Sequence, residues 1–547
     1  MTTTIVARTG YSAAKPRAAG GCAGYTASEN PSSARQEELS PPTEFRSCNL
    51  SDRSDSRAAI SKPFSSSSLP PSLASGRSAT AFTTRARVDS DAGPSCLGAV
   101  DAHAAPVLDL LRGRGHPRAP GAHVHRRVAV VGGGISGLSA AWALSDRAHV
   151  TLFEADARPG GHTHTVDVTL PGADGRPVTH GVDTGFLVFN ERTYPLLIQL
   201  FSQLGVAVAR SDMSFSAQVP GDDVEWSGSN LATVFAQRRN LLRPAFWGML
   251  TDLLRFNRLC TELATRGEEA ALAEPIGAFL DRHGFGRGFR DWYLLPMVAC
   301  IWSCPTAQML QFPIRTLIRF CHNHGLLQVN DRPQWWTVTG GARHYIDAML
   351  PALHSLRLAT PVQAVRRRPD GGVMLRTGAG EERFDAVVMA GHSDQSLAML
   401  AEPTAAEREL LGAIRYQPNV AVLHTDAALL PRRRAAWAAW NYESGGGGQD
   451  VCLHYLLNRL QPLPWQQPVV VSLNPIRPPD PARVIGRYEY AHPVFDDDAV
   501  RAQARLHGIQ GVGGVWFAGA WTRYGFHEDG LLSGLTAAQQ VIEQVLA

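Results

Sequence analysis

Three glycines, Gly132, Gly134 and Gly137, stand at the G-x-G-x-x-G spacing inside "RRVAVVGGGISGLSAAWALS". The apolar run Val128, Val130 and Val131 before them reads as a buried strand, and the residues after them, opening with Ile135 and Ser136, read as a helix. Such a strand, turn and helix binds a pyrophosphate: the first glycine permits the turn, the second lets the backbone approach the phosphates, and the third lets helix and strand pack. The helix start then directs unpaired N–H groups at the anion. A second strand, "HVTLFEA", ends at Glu154 beside Ala155, and an acid at this offset can accept from ribose hydroxyls. Together these features predict a bound dinucleotide.

The elements that must position this turn begin near residue 123. Residues 1–122 are rich in Ser, Ala, Arg, Pro and Gly and are expected to be disordered, since they bury too little apolar surface to offset their ordering entropy. Two origins stay open for this extension: a transit-like segment, suggested by Arg8, Lys15 and Arg17 with no acid before Glu29, or an over-extended start site. The expected location is correspondingly cytoplasmic, membrane-peripheral as an alternative, or plastid or mitochondrion if the extension is a transit peptide. No stretch reaches the ~20 apolar residues that span a bilayer.

Further along, "FEADARPGGHTHTV" carries Glu154, Arg158, Gly160 and Gly161, with His162 where an arginine is usual. It resembles the E-x-x-x-R-x-G-G-R signature of the flavin amine oxidase superfamily, which includes phytoene desaturases and protoporphyrinogen oxidases. The C-terminal "WFAGAWTRYGFHEDGLLSGLTAAQQVIEQVL" resembles that superfamily's closing motif. More narrowly, "GGHTHTV", "VDTGF", "FNERTYP", "NHGLL" and "GFHEDGL" are similar to a bacterial subfamily of flavin oxidoreductases, one branch of which is linked to acyl-chain desaturation. The resemblance implies FAD as cofactor and an α/β fold, in which a Rossmann-type FAD-binding domain with a β-meander carries an inserted mixed α/β substrate domain. It divides the chain into FAD-binding pieces at 123–214, 331–400 and 506–547 and substrate-domain pieces at 215–330, mainly helical, and 401–505. It further implies that Arg158, Gly160, Gly161 and His162 run along the cofactor, that Val362 meets the adenine, that Gly519 and Ala520 approach the pyrophosphate or ribityl chain, and that Asp529, Gly530 and Leu531 lie near the isoalloxazine ring. His527 and Glu528 fall near flavin N5 and are the candidates for acid–base chemistry. The competing reading of both is a structural hydrogen bond that holds the turn.

Composition narrows the chemistry. The net charge of +3 is too small to argue for nucleic acid. Lys15 and Lys62 are the only lysines, which excludes a catalytic lysine from residue 126 onward. Amine oxidases of the resembled family commonly use one beside the flavin. The eight cysteines show no paired CxxC spacing, so no metal site is expected, and Cys300 and Cys304 read as buried thiols. Dehydrogenation of a lipid-like acyl chain therefore ranks first. Oxidation of a small amine, of a polyene or porphyrinogen, and a non-catalytic flavin-binding role stay as alternatives. The segment "NLATVFAQRRNLLRPAFWGMLTDLLRFNRL" reads either as a core helix with solvated arginines or as a basic amphipathic surface around Arg239 and Arg243 that touches an anionic membrane. Pro244 permits a break into two helices. The expected partner is a small-molecule or lipid substrate; the oligomeric state stays open.

Overall fold

The computed structural model describes residues 105–112, 126–328, 331–445 and 452–547. Its organising element is the strand Arg127–Val131, whose last four residues are buried. The apolar run Val128–Val131, covered on both faces, belongs at the centre of a parallel sheet. It pairs with His149–Phe153 on one side and Ala386–Met389 on the other; Ser355–Arg357 and Val515–Phe517 complete five parallel strands.

The helix Ile135–Leu144 is buried along its whole length. It lies between this sheet and the terminal helix His527–Val541, and glycines set the spacing. A Cβ on Gly534 would stand 2.1 Å from the Ser136 carbonyl oxygen, and one on Gly530 would stand 2.7 Å from an Ile135 methyl carbon. The antiparallel meander Ala364–Arg367, Val373–Thr377 and Gly380–Phe384 buries Val365, Leu375 and Phe384 in a cluster with Phe153 and Phe517 of the sheet.

Residues 215–227 and 415–494 build a seven-stranded sheet whose strands run, edge to edge, 484–494, 415–424, 470–473, 452–456, 440–443, 215–219 and 224–227. The segment 215–330, expected to be mainly helical, thus opens with two strands, because "FSAQV" pairs with "VEWS" on one side and with Trp440–Glu443 on the other. Helices follow. Pro244 occupies the first turn of Pro244–Arg266, where its missing N–H costs no hydrogen bond.

One expectation is corrected. Within the extension expected to be disordered, Ala105–Arg112 is a helix. Val107 and Leu111 are buried in the cluster that holds the terminal helix and Pro195–Leu204, and the Leu111 carbonyl accepts from Gln203 Nε2 at 2.6 Å. Val107 and Leu111 are spaced i, i+4, one helical face, and burial of that face overcomes the polar composition around it. Residues 1–104 and 113–125 lie outside the described residues. Among the described residues no helix is long and apolar enough to cross a membrane.

Candidate active site

A cavity of about 2380 Å³ runs from the glycine turn to the surface of the seven-stranded-sheet region. That exceeds the ~300–1,000 Å³ of a typical single-ligand pocket and leaves room for a dinucleotide with a second molecule. Gly132, Gly134, Ile135, Ser136, Glu154, Ala155, Arg158, Gly160, Gly161, His162, Val362, Gly519, Ala520 and His527 all line it. Glu528, Asp529, Gly530 and Leu531 are not on its wall.

Each glycine has a distinct reason. Gly132 has φ +108°, and a Cβ there would stand 2.9 Å from the Ala390 carbonyl oxygen. A Cβ on Gly137 would stand 1.9 Å from the Gly132 carbonyl oxygen. Gly134 is different: a Cβ there would meet nothing within 4 Å, so its requirement comes from what enters the cavity. No side chain caps the helix that Gly134 opens. Its first N–H groups have no partner within the helix. A cofactor phosphate fits this open, uncapped start.

Glu154 serves the turn as well as the cavity. Its Oε2 accepts from Gly133 N at 2.6 Å and its Oε1 from Asp156 N at 2.8 Å, with lone pairs left for a ribose. Arg158 reaches back along its own loop, donating to the Gly161 carbonyl at 2.9 Å and the Thr163 carbonyl at 3.2 Å. It braces the segment that ends at His162. Gly185 packs against that segment, because a Cβ there would stand 2.1 Å from the His162 carbonyl oxygen. Asp183, two residues earlier, accepts from Thr165 Oγ1, Ala342 N and Gln461 Nε2; burial raises its carboxyl to about 6.

His162 is half-buried, and its buried Nε2 has no hydrogen-bond partner. An orphaned polar atom on the cavity wall fits a cofactor group in that space. Around it stand His392, His492 and Tyr490, with ring centroids 5.1–6.3 Å away. Burial, and then the neighbouring histidines, hold His162 well below its ordinary value. Burial likewise pushes His492 down to about 4 and His527 to about 3. The site is therefore lined by neutral imidazoles.

His527 stacks on Phe186 with centroids 3.9 Å apart, and its Nε2 shares a 2.8 Å hydrogen bond with the Tyr345 hydroxyl. Tyr345 is bonded in turn to Thr163 Oγ1 at 2.6 Å. Glu528 points elsewhere. Its carboxylate accepts from Leu196 N and Leu197 N, closing the helix Pro195–Leu204, so the acid–base role expected for it is replaced by the structural one. The reason is helical geometry: adjacent residues face directions about 100° apart. The side chains around Asp529–Leu531 also do not reach the cavity. Asp529 accepts from Phe526 N, Gly530 packs on Ile135, and Leu531 is buried in the core.

Sequence reasoning missed His392, Tyr416, Asn419, Tyr490 and His492, all on the cavity wall. The strand Val484–Val494 pairs with Arg415–His424, with Asn419 opposite Tyr490 and Gln417 opposite His492. Alternation of Tyr488, Tyr490 and His492 in "YEYAHPV" was the available signal, since alternate strand residues share a face. Cys300 lines the cavity, and Cys300 and Cys304 are buried free thiols. Away from the cavity, Glu443, Cys452 and His454 come together at metal-ligand separations, although no metal site was expected. His454 Nε2 lies 3.0 Å from Glu443 Oε2, and Arg477 holds the other carboxylate oxygen, a hydrogen-bonded network complete in itself.

A model of the flavin containing amine oxidoreductase family matches residues 135–432. The chain belongs to this family. The flavin of that family suits the cavity, which the glycine turn and the C-terminal Gly519 segment build together. Among characterised relatives, carotenoid phi-ring synthase of Streptomyces griseus is 29% identical over 328 residues, covering 56% of this chain and 59% of that protein. Protoporphyrinogen oxidase 2 of Arabidopsis thaliana is 26% identical over 182 residues, 32% of each chain. The chain thus spans less than two thirds of these relatives' lengths. Among solved structures, the CLA-producing fatty acid isomerase from P. acnes has TM-score 0.54 at 15% identity, covering 78% of this chain and 100% of that one. Cyclohexylamine oxidase from Brevibacterium oxydans has TM-score 0.54 at 18% identity, covering 77% and 99%. At these identities the likeness is one of fold.

Proposed function

We propose that this oxidoreductase dehydrogenates a lipid-like acyl chain. The fold hosts both a fatty acid isomerase and amine oxidases, so it does not choose between them. The observation that carries the reading is the wall of the cavity beyond the nucleotide cradle. It is built from side chains such as Phe215, Trp226, Leu253, Met297, Ile301 and Phe320. The acids on the whole wall are Glu154 and Asp156 at the nucleotide end, Asp212, ion-paired with Arg459 at 3.0 Å, and Glu489. No lysine exists downstream of Lys62. An apolar channel favours a methylene chain by ~0.8 kcal/mol per buried CH₂ and offers little to an ammonium group.

Bound FAD supplies the hydride acceptor. The protein holds the chain against the apolar wall and excludes water. Tyr345 and Phe186 fix the His527 ring on the cavity wall, where its imidazole would take the proton that leaves with the hydride. A polyene is the second reading, on the same apolar wall and on the 29% identity to carotenoid phi-ring synthase.

The test is anaerobic bleaching of the yellow protein by acyl lipids, polyenes and simple amines in parallel. Bleaching by acyl lipids that quickens with chain length is expected. Rapid bleaching by amines with none by any acyl lipid would overturn the reading.

A further inference from the structure

We propose that the mouth of this cavity is a lip that docks on an anionic lipid bilayer, so that an acyl chain passes from the lipid layer into the site. The inference rests on the lipid-substrate reading above and adds the route of entry.

Nine large hydrophobic side chains of the described residues are exposed, and five of them fall between Leu231 and Leu254. Three of the five, Leu231 (78% exposed), Trp247 and Leu254 (59%), also line the cavity, so apolar side chains of the wall reach the surface here. Leu242, 86% exposed, and Leu241 extend that surface on the turn before Pro244. A cluster of this kind marks an interaction surface rather than the scattered exposure that any protein shows. Trp247 suits an interface, with its ring partly exposed and its Nε1 donating to the Leu241 carbonyl at 3.0 Å.

The charges beside the lip favour anionic headgroups. Arg238 and Arg239 are exposed, and Arg255 lies on the same helix as Trp247. The arginines of the basic surface expected around Arg239 and Arg243 also have partners within the protein. Arg239 pairs with Asp223, Arg243 donates to the carbonyls of Asp222 and Asp223, and Arg255 pairs with Asp252. The charges of Arg239 and Arg255 are thus answered within the protein, whereas that of Arg243 is not. The leucines carry the contact and the cations orient it. A protein partner would not need the surface to run on into the cavity; an acyl chain leaving a bilayer does.

The experiment is flotation of the FAD-loaded full chain with vesicles of phosphatidylcholine alone or with added phosphatidylglycerol. Binding to the anionic vesicles is expected, reduced only a few-fold by 0.5 M salt, a value chosen to shorten the screening length to roughly 4 Å. The pair Leu231→Ser and Leu242→Ser is expected to lower partitioning by roughly tenfold or more, each leucine losing its burial in the lipid. Unchanged flavin content and melting temperature in that variant show that it is folded. No flotation, or equal flotation of the variant, overturns the proposal. So does vesicle-free self-association that the variant abolishes, which would make the lip an interface between copies. Bleaching by a monomeric acyl substrate is measured separately. Docking without bleaching removes the substrate reading and leaves the lip; bleaching without docking does the reverse.

Discussion

The Glu528 carboxylate sits on the start of the helix Pro195–Leu204, with Oε1 accepting the Leu196 N–H at 2.8 Å. Oε2 accepts the Leu197 N–H at 3.0 Å, so one side chain of the terminal helix satisfies two N–H groups of another. Burial raises this carboxyl to about 8, against the pull of the two N–H donors. Glu528→Ala is expected to destabilise the fold by about 1–2 kcal/mol, the usual worth of a helix cap. Thermal melting checks this, and the rate of flavin reduction in the surviving folded protein should be unchanged, because Glu528 does not line the cavity.

Gly134→Val separates folding from cofactor binding. A Cβ at Gly134 meets nothing in the protein, so the variant should fold with unaltered circular dichroism. The added side chain occupies the space in which the phosphates must sit. Purified variant protein should be colourless, with the flavin absorbance per chain reduced at least tenfold. Full occupancy would move the phosphates elsewhere.

His527→Ala removes the ring stacked on Phe186 and the hydrogen bond to Tyr345. Reduction by substrate should slow by about 10²-fold, the low end of what a positioned acid–base group contributes. FAD content should stay near that of the parent, because the glycine cradle is untouched. Burial keeps this imidazole neutral down to about pH 3, so the reductive rate between pH 5 and 8 should carry no ionisation from it.

Acid should destabilise the protein in a defined window. His492 and His324 are lowered to about 4 by burial, from 6.5 in the unfolded chain. Between those values the unfolded state binds protons that the folded state does not, so stability rises with pH. Each group accounts for at most about 1.4 kcal/mol per pH unit as pH falls from 6.5 to 4. Glu528 has the opposite sign: its folded value lies above its unfolded value of 4.5, so its term weakens the fold as pH rises from 4.5 towards 8. Melting temperature against pH should fall on the acid side of 6.5, less steeply in His492→Asn.

Removal of residues 1–125 should weaken the fold, whereas removal of 1–104 keeps the helix Ala105–Arg112. Val107 and Leu111 each gain about 1.5–3 kcal/mol from burial, offset in part by the ordering of their helix. A melting temperature several degrees lower for the shorter chain is expected, with FAD still bound. Equal melting of the two would show that the helix contributes nothing.

The cofactor cradle was legible in the sequence because its determinants are local. Gly132, Gly134, Gly137 and Glu154 lie within one strand–turn–helix–strand unit, so their types and spacing can be read from one short stretch of chain. The return of the C-terminal segment to the cofactor was expected only from the resemblance of its closing motif; the structure supplies the physical reason, since Gly530 and Gly534 leave room for Ile135 and Ser136. The functions of His527 and Glu528 were not readable. Two adjacent residues on a helix point in different directions, and which one meets the cavity depends on how the helix is rotated against Pro195–Leu204. The gathering of His162, His392 and His492 was likewise decided by tertiary structure. These residues come from a loop, a helix cap and a strand more than two hundred residues apart at the extremes, and only sheet register and chain packing bring their rings together. The sequence alone fixed where a phosphate can approach the backbone; burial and strand pairing decided which side chains face it, because both depend on contacts that no local pattern contains.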